Sequence, residues 1–290
     1  MRGQIRKAIS GFYYIYANGK IYQTRARGNF RQRKITPLVG DFVEFESKNL
    51  IDGYLLKIFP RKNELFRPTT ANVDIGIIVI SSIDPDFSLN LLDRFLVLLE
   101  EKKVRPLIYI TKIDLLNEEK FYEIAKLAQI YRDIGYTVIF SKDEREKIAK
   151  LIQYFPHHLL VTIGQSGVGK STLLNTLSPT LKLQTSKISK TLGQGKHTTR
   201  FVELLPLFDG LIADTPGFSS IDLSKIKATD LPKMFPEFIK ASPFCKFREC
   251  SHTHEPSCEV KTKVEQGQIA LSRYKNYLNF LSEIRSQRLD

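Results

Sequence analysis

The sequence predicts an α/β fold in three parts: a small N-terminal β-barrel, a central parallel sheet covered by helices, and a short C-terminal helical domain. Three observations predict it. The hydrophobic pattern changes character near Val73 and again after Asp222. A glycine-rich loop, "GQSGVGKS" from Gly164 to Ser171, stands between an apolar strand and a helical stretch. All three cysteines fall between Cys245 and Cys258. The 290 residues suffice for two or three small domains, each with its own core, and the boundaries expected are 1–69, 70–222 and 223–290.

Residues 1–69 read as strands. "GFYYIYANGKIYQTRAR" is two β-rich runs joined by Asn18-Gly19, a strong hairpin signal. "DFVEFE" and "GYLLKIF" continue the pattern, and so many short strands in so few residues suggest a barrel of the OB type. Between two strands lies "RARGNFRQRK", with Arg25, Arg27, Arg31, Arg33, Lys34 and Phe30. An exposed basic loop with an aromatic suits phosphates and stacked bases, so these five cations are candidate RNA contacts; the bland alternative is a solvated loop. "RKNELFRPTTANVD" reads as a linker.

From Val73 the strands become continuously apolar: "VDIGIIVI", "RPLIYI", "YTVIF" and "HLLVTIG". Helical stretches such as "NLLDRFLVLLEEKK" alternate with them, the pattern of a parallel sheet covered on both faces. After Asp222 the strands stop. In the final stretch Ile269, Tyr274, Tyr277, Leu278, Leu281 and Ile284 keep helical spacing.

Gly164-Gln165-Ser166-Gly167-Val168-Gly169-Lys170-Ser171-Thr172 fits the phosphate-loop pattern, and its position between strand and helix strengthens the match. Backbone N–H groups and the helix N-terminus cradle phosphates in such a loop. Lys170 would neutralise the β- and γ-phosphates and the Ser171 hydroxyl would ligate Mg²⁺. Downstream, "GLIADTPG" ends a strand in Asp214-Thr-Pro-Gly217; the acid can hold Mg²⁺ and the Gly217 N–H can meet a γ-phosphate. Read alone it would be an ordinary turn. Between the two lies "GQGKHTTR", in which Thr198 or Thr199 could complete the Mg²⁺ shell. The residue after Gly217 is Phe218, which cannot orient water. His197 in the threonine loop is therefore the candidate to do so, the plain alternative being an RNA contact or packing.

"YITKID" supplies a base reader. Asp114 can accept from N1–H and the 2-amino group of guanine, a donor pair that adenine lacks, and the stem of Lys112 can pack over the base. Thr111 stands where Asn is commonest, and its shorter side chain bridges less. Ile113 completes the motif, and Ser141 in "IFSKD" is a weaker second base contact. The reader precedes the phosphate loop by about fifty residues, the reverse of the usual order. A parallel sheet cut in one loop and rejoined elsewhere keeps its site, so the order is that of a circularly permuted P-loop GTPase domain. An ATPase or nucleotide kinase is the rival enzyme, and TKID argues against it. The other rival is an RNA-binding protein with a structural nucleotide site.

The segment "CKFRECSHTHEPSC" offers three thiolates, with His252 or His254 as a fourth ligand. Such a set closes a tetrahedral Zn²⁺ site in a stretch with few apolar residues. Charge adds a partner. The net charge of +13 divides into +9 over 1–69, zero over 70–222 and +4 over 223–290. Basic flanks around a neutral middle suit nucleic acid. Apolar runs are too short to span a bilayer and the first ten residues have no signal-like stretch, so a cytoplasmic protein is expected. With no coiled coil or long exposed apolar stripe, a monomer is expected.

Taken together, TKID at 111–114, GQSGVGKST at 164–172, GKHTTR at 195–200, DTPG at 214–217 and the cysteine cluster resemble the circularly permuted, small-subunit-dependent GTPase family RsgA (YjeQ/YloQ) over essentially the whole length. The resemblance implies GTP hydrolysis to GDP stimulated by the small (30S) ribosomal subunit, a role in its late maturation, and 16S rRNA contacts by both flanking domains. A GTPase acting on another RNA is excluded by this resemblance alone. It also implies His197 as a catalytic residue beside Lys170, and Cys245, Cys250, His252 and Cys258 as ligands of one zinc ion.

Overall fold

The computed structural model describes residues 1–27, 30, 35–66, 69–179, 202–214 and 222–286, with Asp214 described by its backbone alone. It divides into two compact units, residues 1–77 with 143–218 and residues 78–142 with 219–290.

The first unit opens with five strands, β1 (Arg2–Ile9), β2 (Phe12–Ala17), β3 (Lys20–Ala26), β4 (Phe42–Ser47) and β5 (Gly53–Ile58). β1 pairs with both β2 and β4, β3 runs parallel to β5, and β5 pairs with β4, which closes the five into a barrel. Closure removes the free edges that an open small sheet would expose. Asn18 and Gly19 both take positive φ (51° and 76°), the turn that the Asn-Gly pair predicts. Ile5, Ile15, Val43, Phe45 and Leu55 fill the interior with no exposed surface.

Two expectations are corrected here. The supposed linker after the barrel is packed structure: β6 (Glu64–Phe66) and β7 (Thr69–Ala71) form a hairpin. Asp41, itself fully buried, receives Arg61 Nε at 2.7 Å and Nη2 at 2.8 Å, while Asn63 and Asn72 bond the facing backbone. Burial of Leu65, Ala71 and Val73 supplies the driving force that the polar composition concealed. The second correction is Phe30. At 6% exposure its ring is buried, so it is unavailable for stacking on bases.

The unit continues through β8 (Ile75–Ser81), whose later residues belong to the second unit. In the first unit β11 (Leu159–Ile163) runs parallel to β13 (Gly210–Asp214), and β13 pairs with β12 (Glu203–Leu207) as a hairpin. β12 in turn meets β1 of the barrel at Lys7 and Glu203, whose side chains form an ion pair at 2.9 Å. Every residue of β8 and β11 is buried, as a sheet covered on both faces requires.

In the second unit the strand order is β10 (Thr137–Ile139), β9 (Arg105–Thr111), β8, with β10 and β9 parallel. Helices α1 (Leu89–Glu101) and α2 (Glu118–Ile134) belong to this unit. Ser88 caps α1 and Asn117 caps α2, each accepting an N–H of the first turn, and Gly135 ends α2 in the left-handed region. The first unit carries α3 (Glu144–Ile152) and α4 (Lys170–Leu177). The C-terminal helices α5 (Pro236–Ala241), α6 (Glu259–Glu265) and α7 (Leu271–Ser286) share one core with α1: Val97 packs with Leu231, Phe235, Phe238, Tyr277 and Phe280.

Candidate functional site

The phosphate loop lies between β11 and α4. Gly167 and Gly169 have φ of +81° and +96°, a conformation that a side chain would resist, and Gly169 forms the N-cap of α4. Val168 is buried and pins the loop from below. Lys170 Nζ donates to Gly164 O at 2.8 Å and also to Gln165 O. Burial pushes its ammonium down to about 8. A partly desolvated cation held by carbonyl dipoles is suited to a phosphate counter-charge. Ser166, Ser171 and Thr172 stand in the same loop and first helical turn, where hydroxyls can meet phosphate or a phosphate-bound ion.

The base reader lies at the end of β9. Thr111 is buried, and its Oγ1 donates to Ile80 O at 3.3 Å. Lys112 sits in the left-handed region at φ 58°, with Nζ donating to Asp84 O. Ile113 is fully buried and Asp114 stands in the short helical turn Ile113–Leu115. The motif is thus a strand end, a left-handed turn and a carboxylate brought out into solvent, an arrangement able to present Asp114 to a base edge.

The cysteine segment converges. One ligand atom each from Cys245, Cys250, His252 and Cys258 lies within 4.8 Å of all the others. His252 Nδ1 is 3.4 Å from Cys258 Sγ and 3.7 Å from Cys245 Sγ. A tetrahedral zinc with Zn–S about 2.3 Å and Zn–N about 2.0 Å sets neighbouring donors roughly 3.5–3.8 Å apart, so the donor set fits such an ion. His252 is 1% exposed while His254 faces solvent, which decides between the two histidines left open by spacing. The other ring nitrogen of His252 is 3.2 Å from Ser242 Oγ, and Ser242 donates to Phe238 O at 2.7 Å. That relay fixes the ring's orientation. Tyr274 OH donates to His252 O at 2.7 Å and Tyr277 OH to Ser251 O at 2.5 Å, so α7 holds the ligand loop by its backbone. Burial pushes the Cys250 thiol up to about 12, a cost that a bound cation reverses by displacing the proton.

On the barrel, Arg25 lies over the Phe12 ring at 4.6 Å and Arg27 over Tyr54 at 5.9 Å, with Arg27 also paired to Glu46. Both side chains are exposed. Sequence reasoning missed that the strands add Arg6 over Tyr16 at 5.0 Å and Arg2 over Phe59 at 5.1 Å. Arg6 stands at the irregularity of β1 between Ile5 and Lys7 and Phe59 just past β5, so tertiary proximity makes these couples and spacing along the chain does not show them. Arg31, Arg33, Lys34, His197, Thr198, Thr199 and Gly217 lie outside the described residues, as does the side chain of Asp214, on whose backbone β13 ends.

Comparison with known proteins agrees with this reading. Residues 58–224 match the RsgA GTPase family and residues 2–55 the RsgA N-terminal domain. The chain is 62% identical to a small ribosomal subunit biogenesis GTPase RsgA of Enterococcus faecalis, over 99% of this chain and 97% of that protein. It is 52% identical to the protein of that name from Streptococcus pneumoniae, over 99% of this chain and 96% of the relative. The crystal structure of YloQ, described as a circularly permuted GTPase, superposes with a TM-score of 0.84 at 44% identity, covering 99% of this chain and 95% of that one. YjeQ from Thermotoga maritima gives the same TM-score at 33% identity, with 98% of each chain covered. Phosphate loop, permuted strand order and full-length identity lead to one assignment: the chain is a GTP hydrolase and belongs to the RsgA GTPase family.

Proposed function

We propose that this protein hydrolyses GTP on the small ribosomal subunit and assists its late maturation, with the subunit as activator and 16S rRNA as the polyanion met by the basic flanks. The observation that carries the reading is 62% identity, over 99% of the chain, to a relative named for small-subunit biogenesis. Asp114 reads guanine, with Lys112 packed over the base and Thr111 and Ile113 shaping the turn. Residues Gly164 to Thr172 cradle the phosphates and Lys170 stabilises the charge that grows on them during transfer. Ser171, Asp214 and Thr198 or Thr199 would hold Mg²⁺; what that ion supplies when bound is neutralisation of the β- and γ-oxygens. Gly217 meets the γ-phosphate, and His197 orients the attacking water in place of the usual glutamine. Arg25, Arg27, Arg31, Arg33 and Lys34 contact RNA from the barrel. The protein acts as a cytoplasmic monomer of three domains, 1–69, 70–222 and 223–290. No described helix is long and apolar enough to cross a membrane.

GTP turnover by the purified protein, with and without small subunits, tests the reading. Strong stimulation by small subunits alone is expected, with large subunits and ATP as controls; turnover that small subunits leave unchanged would overturn it. In the same assay His197→Ala should lose most of the stimulated rate while still binding GTP, a loss of about 10²-fold or more if it assists proton transfer. Stimulated turnover at the wild-type level would remove His197 from the mechanism.

The cysteine set holds zinc in this reading, and four protein ligands leave no open position, so the ion is structural. Purified protein should carry zinc, and Cys250→Ser should shed it and expose the 245–258 segment to protease, because metal binding and local folding are coupled. Retention of the metal by that variant would argue against the ligand set.

A further inference from the structure

The loop that follows β8 grips the base reader at several points. Thr111 O, the last carbonyl of β9, accepts two hydrogen bonds from one residue: Ser82 Oγ–H at 2.9 Å and Ser82 N–H at 3.2 Å. Thr111 returns a bond through its hydroxyl to Ile80 O at 3.3 Å. Ser81, fully buried, donates to Ile83 O and accepts from Ile83 N at 3.3 Å, which stiffens the loop itself. The loop's next carbonyl, that of Asp84, receives the Lys112 ammonium.

We propose that Ser82 is a positioning residue for guanine recognition, holding the Thr111–Lys112 peptide so that Asp114 meets the base edge. The inference rests on the reading of Asp114 as the guanine contact. Both lone pairs of Thr111 O are engaged by Ser82, so the peptide plane between Thr111 and Lys112 cannot rotate freely. That plane sets the entry into Lys112, which holds a left-handed conformation at φ 58°, ψ 26°. A non-glycine residue persists there only where its surroundings over-determine it. Two residues later the carboxylate of Asp114 must point within hydrogen-bond angle of two guanine donors, so a small rotation at residue 112 is amplified at Asp114. The commonest form of this motif has an Asn at the position of Thr111, whose longer amide bridges to neighbouring backbone. Thr111 Oγ1 reaches Ile80 O, and the Ser82 hydroxyl adds a brace at the Thr111 carbonyl. A purely structural serine would serve fold stability and leave base preference alone; a positioning serine changes the preference.

The test uses the full-length protein with Ser82→Ala, Ser82→Cys and Ser82→Thr, titrated with GDP, inosine diphosphate (which lacks the 2-amino donor) and tripolyphosphate. Ser82→Ala should bind GDP about tenfold more weakly, the scale of one or two lost hydrogen bonds. Tripolyphosphate binding should hold at the wild-type value, and the GDP-to-inosine-diphosphate preference should fall several-fold. Ser82→Cys keeps the volume with a weaker donor and should show the same loss of preference, so it carries the test if the alanine variant folds poorly. Ser82→Thr should restore the preference. A wild-type preference in both Ser82→Ala and Ser82→Cys, or an equal loss for all three ligands, would overturn the proposal. Asp114→Asn separates the two readings. It should shift binding from guanosine to xanthosine diphosphate. If that switch fails, guanine reading by Asp114 fails; if it succeeds while the Ser82 variants keep their preference, only the positioning role fails.

Discussion

Replacing Arg273 by alanine should destabilise the protein by about 3–5 kcal/mol, the usual cost of removing one partner from a buried ion pair. Arg273 is fully buried. Its Nε and Nη2 donate to the two oxygens of Glu237 at 2.7 and 3.1 Å, and its Nη1 donates to Asp93 Oδ1 at 2.7 Å. Asn276 and Tyr131 complete the shell around Asp93, at 2.7 and 2.8 Å. The guanidinium also lies over the Phe235 ring, 4.5 Å from its centroid. Burial opposes the charge, yet the facing carboxylates outweigh it and hold the guanidinium above its usual pKa. The alanine variant would leave two buried carboxylates without a cation and a cavity beside Phe235. Lysine should not rescue it, since one ammonium cannot serve both carboxylates in the planar geometry seen here. Thermal melting checks the prediction: a fall of roughly ten degrees is expected for a domain of this size, and an unchanged midpoint would show that the network contributes nothing.

The network has a functional bearing. Asp93 is on α1 and Tyr131 on α2, whereas Glu237 is on α5 and Arg273 on α7. A bidentate pair between Arg94 and Glu283 joins the same helices at the surface. The helices beside the base reader and those behind the cysteine cluster are therefore one packed body, and displacement of one carries the other.

Lys170→Ala should reduce GTP turnover by about 10²–10³-fold, the range for loss of one preorganised charge on a reacting oxygen. The side chain is on the first turn of α4, half-buried, and its bonds to Gly164 O and Gln165 O stay within its own loop. The variant should therefore melt near the wild-type temperature while its kcat falls, which separates a chemical defect from a folding one. Lys170→Arg should fail to restore the rate, because the longer planar fork does not fit a loop closed by its own carbonyls. Turnover within a few-fold of wild type in Lys170→Ala would refute the phosphate-stabilising role.

Local chemistry was legible in the chain itself. The glycines of the phosphate loop, the Asn18-Gly19 turn, the apolar runs of β8, β9 and β11 and the spacing of the cysteines are determined by neighbours within a few residues, where backbone sterics and periodicity act directly. Motif order alone told that the sheet is permuted. Tertiary structure decided what depends on distant partners. Phe30 reads as an exposed stacking ring in the sequence, but the folded chain buries it. The polar stretch from Arg61 to Asp74 becomes a hairpin because Asp41, about twenty residues earlier, is buried against Arg61. His252 and His254 are equivalent in spacing, and only the packing of α5 and α7 puts one ring among the thiols. Most of all, nothing in the sequence marks Arg273 out from the other basic residues, or joins 78–142 with 219–290 as one unit. Burial of a charge is set by partners some 36 and 180 positions away, and an interaction across such separations leaves no periodic trace in the chain.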